Sequence, residues 1–188
     1  MRQRLTACPF CRKHSAMSAA DKVNQFDAWL LDRVFQPVVD RLPEKPSGFD
    51  IGMSLQLGAV VLDAACLVAM VAIGRIGIGG IIWNGLTWVF AAFFYVAIVR
   101  MRPLVRPGHA NPLRFMLQGL RPLAIPFAIY SVWIMLTAPG PLMLAMEFNA
   151  LANLVYLIGL YLISCQPKPP TYKRTATVWD RHLARGKI

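Results

Sequence analysis

Two cysteines and a histidine near the N-terminus have a spacing that suits metal binding. Cys8 and Cys11 form a C-x-x-C pair, and His14 follows three residues later. Thiolate and imidazole groups are the preferred ligands of tetrahedral zinc, and these residues would fill three of the four positions. The candidates for the fourth ligand are Cys165, His109 and His182.

The same two cysteines could instead form a redox pair. The tetrapeptide from Cys8 to Cys11 resembles the dithiol motif of glutaredoxin-like proteins, and the neighbouring Arg12 and Lys13 would lower a thiol pKa. Both chemistries lack their usual surroundings, because no strand precedes the pair and no compact domain supplies further zinc ligands. We therefore expect no cofactor, with zinc at Cys8, Cys11 and His14 as the alternative.

Asp63 stands at the centre of a long apolar run and is the clearest candidate for chemistry within a membrane. A carboxylate at the midplane of a bilayer costs about 2.5 to 3.5 kcal/mol, so such residues face the interior of a helix bundle or a water-filled path. The residues on the same helix face as Asp63, at spacings of three and four, are small or polar. They are Gly52, Gln56, Ala59 and Cys66. This pattern indicates close packing against another helix.

A matching face occurs in the last apolar run of the sequence. Its members are Ala145, Asn149, Ala152, Tyr156 and Gly159, with Asn153 beside them. Asp63 and Asn153 lie at similar distances from the ends of their runs, so they should lie at similar depths in a bilayer. We predict that the two helices pack together and that Asp63 forms a hydrogen bond with Asn153 or Asn149. Asp63 then serves either as a contact between helices or as a proton or cation relay.

Glu147 and Arg75 form a second candidate pair of intramembrane polar residues. Glu147 lies near the start of the last apolar run, and Arg75 lies in the turn that follows the first run. The long side chain of Arg75 can extend towards Glu147. We predict an ion pair between them, and Glu147 is also the only second acid available for a relay.

A highly apolar composition determines the elements that must carry these residues. Of the 188 residues, 56% are hydrophobic and 15% are charged, against roughly 25% charged in an average soluble domain. Four apolar runs lie at about 51–73, 81–99, 122–138 and 142–164, with lengths that suit a hydrocarbon core of about 30 Å. The predicted fold class is all-α, a polytopic membrane protein whose four transmembrane helices occupy residues 51–164.

An amphipathic helix is predicted before the first transmembrane helix. Ser18 and Asp21 form a capping box at its start, and Pro37 should end or kink it. Its apolar face contains Val23, Phe26, Leu30 and Val34. We expect residues 19–50 to form this interfacial helix and a linker, lying on the membrane or on the other helices. Residues 1–18 should be a flexible basic tail, and residues 165–188 a basic tail that contains prolines.

The formal net charge of +11 follows the predicted topology. Apart from Arg75, all Lys and Arg residues lie in segments 1–50, 100–121 and 165–188, which four spans place on one side of the bilayer. The positive-inside rule makes that side the cytoplasm, as expected for a bacterial inner-membrane protein with both termini inside. The residues predicted to contact anionic lipid headgroups are Arg100, Arg102, Arg106, Arg114 and Arg121.

The sequence contains no recognisable set of catalytic residues and no nucleic-acid recognition motif. We therefore expect a non-enzymatic scaffold, accessory or assembly subunit that binds another membrane protein or a second copy of itself. The first alternative is a small oligomeric proton- or cation-coupled transporter or channel that uses Asp63. The second is a metal- or redox-sensing membrane protein that acts through Cys8, Cys11 and His14.

Overall fold

The computed structural model describes residues 18–43, 46–74, 76–138 and 140–168. Every regular element within these ranges is a helix, and no strand occurs there, so the predicted all-α class is confirmed. The elements, in chain order, are α1 (Ala19–Leu30), a π-helix (Leu31–Phe35), α2 (Gln36–Arg41), α3 (Gly48–Ile73), α4 (Ile78–Met101), a 3-10 turn (Arg102–Leu104), α5 (Pro112–Met116), α6 (Leu120–Thr137), a second 3-10 turn (Gly140–Leu142) and α7 (Met143–Ser164).

Four helical stretches are long and apolar enough to cross a membrane. They are Gly48–Ile73, Ile78–Leu104, Leu120–Thr137 and Gly140–Ser164. Each overlaps one of the four apolar runs predicted from the sequence. The helical stretches begin two or three residues before the predicted runs, because residues just before each apolar run are also helical. In the first case, the Ser47 hydroxyl accepts a hydrogen bond from the Asp50 N–H at 3.2 Å and so caps α3.

The four long helices are not packed equally. α3 and α7 form the main helix pair, α6 packs against α7, and α4 packs chiefly against α3. α4 is therefore the most peripheral of the four, and Ile98 is its only buried side chain in the described structure. Arg102, Arg114 and Arg121 all lie at the same end of the bundle, which is called the basic end below.

The N-terminal helical run continues past Pro37, at which the sequence predicts an end or a kink. Pro37 lies in the first turn of α2, and the run ends only at Arg41. The π-helix directly precedes it, and there the N–H of Gln36 donates to the carbonyl of Leu31, five residues back. Because proline lacks an N–H and its ring crowds the preceding turn, this wider turn lets the helix continue.

α1 turns its apolar side outwards. Asp27 and Leu31 are buried against the rest of the protein, whereas Val23, Phe26 and Trp29 are each about half exposed. The helix does pack on the other helices, which is one of the two predicted placements. It does so through the side that carries an acid, so that Val23, Phe26 and Val34 of the predicted apolar face stay exposed while Leu30 packs partly against the bundle.

Candidate functional site

A buried ion pair joins α1 to the bundle at its basic end. The guanidinium of Arg121 donates to the Asp27 carboxylate through Nη2, at 2.6 Å, and through Nε, at 3.1 Å and 3.2 Å. The Tyr161 hydroxyl donates to the same carboxylate at 2.8 Å. The exposed fractions are 1% for Asp27, 2% for Arg121 and 0% for Tyr161. We call these three residues the Asp27 cluster.

The packing around the Asp27 cluster restricts the orientation of each member. The Phe35 ring stacks on the Tyr161 ring with centroids 4.6 Å apart. The Arg121 guanidinium lies 5.8 Å from the centre of the Tyr161 ring, which is within the range of a cation–π contact. Nη1 of Arg121 also donates to the backbone carbonyl of Arg114 at 3.1 Å. The carboxylate is therefore paired with a cation and hydrogen-bonded by two different helices, which is the condition under which a buried charge is tolerated.

Amide side chains form a second set of contacts at the basic end. Asn111 Nδ2 donates to the carbonyls of Ile163 and Cys165, at 2.7 Å and 2.9 Å, and so satisfies carbonyls at the C-terminus of α7. Gln36 and Gln166 form two hydrogen bonds with each other. The Gln166 backbone N–H donates to the Gln36 side-chain oxygen at 2.9 Å, and the Gln36 side-chain amide donates to the Gln166 carbonyl at 3.2 Å. These bonds connect α2, the segment before α5 and the end of α7.

Three of the five arginines predicted to contact lipid headgroups are paired with carboxylates of the chain. Arg121 is the buried partner of Asp27, which corrects the prediction that it faces a headgroup. Arg114 donates to both oxygens of Asp32, at 2.8 Å and 2.9 Å. Arg102 lies 2.5 Å from the Asp50 carboxylate at the start of α3. The acids that neutralise these cations are far away in sequence, so their pairing required the folded structure.

Arg100 and Arg106, the other two of these arginines, are exposed and form no salt bridge with the residues that the structure describes. Arg100 lies in the last turn of α4. Its positive charge is favourable there because helix C-termini carry partial negative charge. Of the five arginines, these two therefore have no carboxylate partner among the described residues.

The predicted pairing of α3 with α7 is confirmed, and the small residues explain it. A Cβ atom added to Gly52 would lie 3.0 Å from the Ile163 nitrogen and 3.1 Å from the Gly159 carbonyl oxygen. The two backbones therefore approach as closely as only glycine allows. Gln56 bridges the helices just beyond this crossing, where its Nε2 donates to the Tyr156 carbonyl at 2.8 Å.

Asp63 does not make the predicted contact with the asparagines of α7. Asn153 donates instead to the carbonyl and the side-chain oxygen of Asn149, at 2.9 Å and 3.2 Å, within the same helix. Asp63 is half-buried, and no hydrogen bond from the described part of the chain reaches its carboxylate. Gln56 supplies the polar contact between α3 and α7 instead, and the amide of Asn153 is satisfied within its own helix.

Glu147 lies half-buried in the first two turns of α7. Its predicted partner Arg75 lies outside the described residues, so the ion pair remains a prediction. Cys8, Cys11, His14 and His182 also lie outside them. Among the described residues, no three His, Cys, Asp or Glu side chains converge on a common point.

Cys165 is the proposed metal or redox cysteine that the structure does describe. It is 4% exposed, and its thiol donates to the Tyr161 carbonyl at 3.3 Å. Burial raises the pKa of this thiol to about 12, although Arg114 and Arg121 act in the opposite direction. Cys165 is therefore a protonated, enclosed thiol at neutral pH, whereas zinc and disulfide exchange require a thiolate.

Three of the buried polar residues escape sequence reasoning. Asp27, Tyr161 and Asn111 belong to no motif or helix face that the sequence marks as functional. Asp27 and Arg121 are separated by 94 positions, and no spacing rule connects residues so far apart. The available signal was weak: a basic residue immediately before an apolar run, together with an acid on a helix that precedes the bundle.

Four long apolar helices with polar contacts buried between them are the features of a multi-pass helical membrane protein. No protein-family model matches the chain, and comparison with curated proteins and with solved structures found no relative. Its function must therefore be inferred from its own residues.

Proposed function

We propose that this protein is a non-enzymatic accessory or assembly subunit of a membrane complex. It crosses a bacterial inner membrane four times, with both termini in the cytoplasm. The basic end of the bundle then lies on the cytoplasmic side, as the positive-inside rule requires. The four helices provide the crossings, and the short connections on the opposite side carry few charges.

The observation that carries this proposal is that the buried polar groups bind one another across helices. Asp27, Arg121 and Tyr161 bind one another, Asn111 caps α7, and Gln56 joins α3 to α7. In the described residues, no buried side-chain nitrogen or oxygen lacks a hydrogen-bond partner. These buried groups hold helices together, which favours a structural role.

The exposed apolar side of α1 supports the same proposal. Phe26 and Trp29 stack with ring centroids 6.1 Å apart on this side, while Asp27 on the other side is fixed to the bundle. In a four-span topology this helix lies near the cytoplasmic membrane surface, where aromatic residues are favoured. We propose that it is an interfacial helix whose orientation is set by the Asp27 cluster.

The experiment that tests the subunit role is gentle extraction of the tagged protein from its native membrane, followed by mass spectrometry of the co-purifying proteins. A stoichiometric partner is the expected result. The Asp63→Asn variant is the matched control, because it removes the mid-bundle acid without touching the basic end, and it should retain the same partner. Recovery of the wild type alone, as a uniform homo-oligomer, would contradict the proposal.

A second candidate function follows from Asp63 itself. An acid in the middle of a membrane helix with no hydrogen-bonding partner among the described residues is suited to carrying a proton or cation. Flux measured in proteoliposomes tests this role. Wild-type flux that is lost in Asp63→Asn and kept in Glu147→Gln would support transport through Asp63, and the absence of wild-type flux would rule against it.

A further inference from the structure

A groove about 350 Å³ in volume runs along the side of α4 near the basic end of the bundle. Its lining residues within the described structure are Phe93, Val96, Ala97, Arg100 and Met101. They recur at spacings of three and four, so they form one face of the helix over its last two to three turns. The described lining is apolar except for Arg100, which lies at the end nearest the membrane surface in the proposed topology.

We propose that this groove binds one anionic phospholipid of the cytoplasmic leaflet. The phosphate group lies on the Arg100 guanidinium, and one acyl chain lies along Phe93, Val96 and Ala97. The inference rests on the membrane placement proposed above, but it does not depend on a protein partner.

Charge complementarity selects the anionic ligand. Arg102, Arg114 and Arg121 are each neutralised by a carboxylate of the chain, whereas Arg100 forms no salt bridge with the described residues. A guanidinium can donate two parallel hydrogen bonds to a phosphate, which is a stronger and more oriented contact than an ammonium provides. Arg100 thus combines a charge that no described carboxylate neutralises with a geometry that suits phosphate.

The position of the apolar surface selects a lipid over a small phosphate ion. The groove continues directly from the exposed apolar side of α4, where Phe90 is 65% exposed and Phe93 is 69% exposed. Its volume lies near the lower limit of the roughly 300–1,000 Å³ that is usual for small-ligand sites. An inorganic phosphate could contact Arg100 but would leave the apolar walls uncovered, whereas an acyl chain covers them.

The test is native mass spectrometry of the purified full-length protein in detergent, titrated with phosphatidylglycerol or phosphatidylcholine. The wild type should retain one phosphatidylglycerol about tenfold better than phosphatidylcholine. Arg100→Gln should lower phosphatidylglycerol retention about fivefold to tenfold. Arg41→Gln removes the same charge from another exposed site at the end of α2 and should leave retention unchanged. An equal effect of the two variants would overturn the proposal, because it would reduce the preference to net charge.

A second variant tests the groove separately from the charge. Val96 is 43% exposed, so Val96→Trp should fold normally while it fills the groove. It should lower phosphatidylglycerol retention although Arg100 is intact, and wild-type retention by this variant would overturn the placement of the acyl chain. Excess inorganic phosphate should not displace the lipid, and displacement would identify a simple phosphate site. These results concern the isolated protein, so they are independent of whether a partner co-purifies.

Discussion

The protein contains two acids within its helical bundle, and they differ in burial and in hydrogen bonding. In the Asp27 cluster, an acid that is almost completely enclosed is paired with Arg121 and accepts a hydrogen bond from Tyr161. In the middle of α3, Asp63 is only half-buried and accepts no hydrogen bond from the described residues. The comparison shows that the more deeply buried acid is the structural one. Asp63, the acid that is most conspicuous in the sequence, contributes no polar contact between the described helices.

The difference follows from what surrounds each acid. Asp27 meets side chains from α6 and α7, which approach it from positions far away in the sequence. Asp63 lies on the α3 face that packs against α7, but the polar contact on that face is made by Gln56. We therefore expect substitutions in the two regions to have very different effects on stability.

The largest effect is expected for Asp27→Leu. This change leaves the Arg121 guanidinium buried without a counterion, which should lower the free energy of unfolding by about 3–5 kcal/mol. Denaturant unfolding in detergent micelles measures it. The double variant Asp27→Leu/Arg121→Met is the control and should recover most of the loss, because no charge is then buried. A loss below about 1 kcal/mol in the single variant would show that the cluster is not structural.

A smaller loss is expected where α3 and α7 cross. In Gly52→Ala, the new Cβ would lie 3.0 Å from the Ile163 backbone nitrogen, so the helices must separate, at a cost of about 1–3 kcal/mol. Gly58→Ala on the same helix is the matched control, since its nearest neighbour would be the Val155 side chain at 3.8 Å. This control should be neutral or stabilising by about 0.5–1 kcal/mol. Thermal unfolding of both variants tests the crossing, and equal destabilisation would contradict it.

The surface pair next to the cluster should matter much less than the cluster itself. Arg114 and Asp32 are 33% and 50% exposed at their side chains, so solvent screens their attraction. Arg114→Gln should lower stability by about 0.2–1 kcal/mol. The same unfolding assay at low and high salt measures it, and the small loss should shrink further as salt is added. A loss as large as that of Asp27→Leu would mean that the two pairs act as one unit.

The smallest effect on stability is expected for Asp63→Leu. Removing an acid that has no hydrogen bond with the described residues leaves no partner unsatisfied, so the free energy of unfolding should not decrease. Insertion into the membrane should be equal or improved, because the polar group is costly there. A loss of more than about 1 kcal/mol, measured beside Asp27→Leu, would show that Asp63 has a structural partner and would remove the contrast between the two regions.

The sequence by itself determined the four long helices, the pairing of α3 with α7 and most of the faces involved. These features depend on local properties: apolar length, and small residues repeated at spacings of three and four. Gly52, Gln56, Ala59 and Cys66 are all buried, as that periodicity predicts. The capping box at Ser18 was also correctly predicted, since the Ser18 N–H donates to the Asp21 carboxylate at 3.0 Å.

Only the tertiary structure decided which polar groups meet. The choice between Asp63 and Gln56 as the contact to α7 depends on the rotation and offset of two packed helices, which periodicity does not define. The pairing of Arg121 with Asp27 joins segments 94 residues apart, so local sequence rules carry no information about it. It also fixes the orientation of α1, because a buried salt bridge holds its acidic side inwards and leaves Phe26 and Trp29 exposed. Burial makes such pairings specific, since an unpaired charge in the interior is far more costly than a paired one.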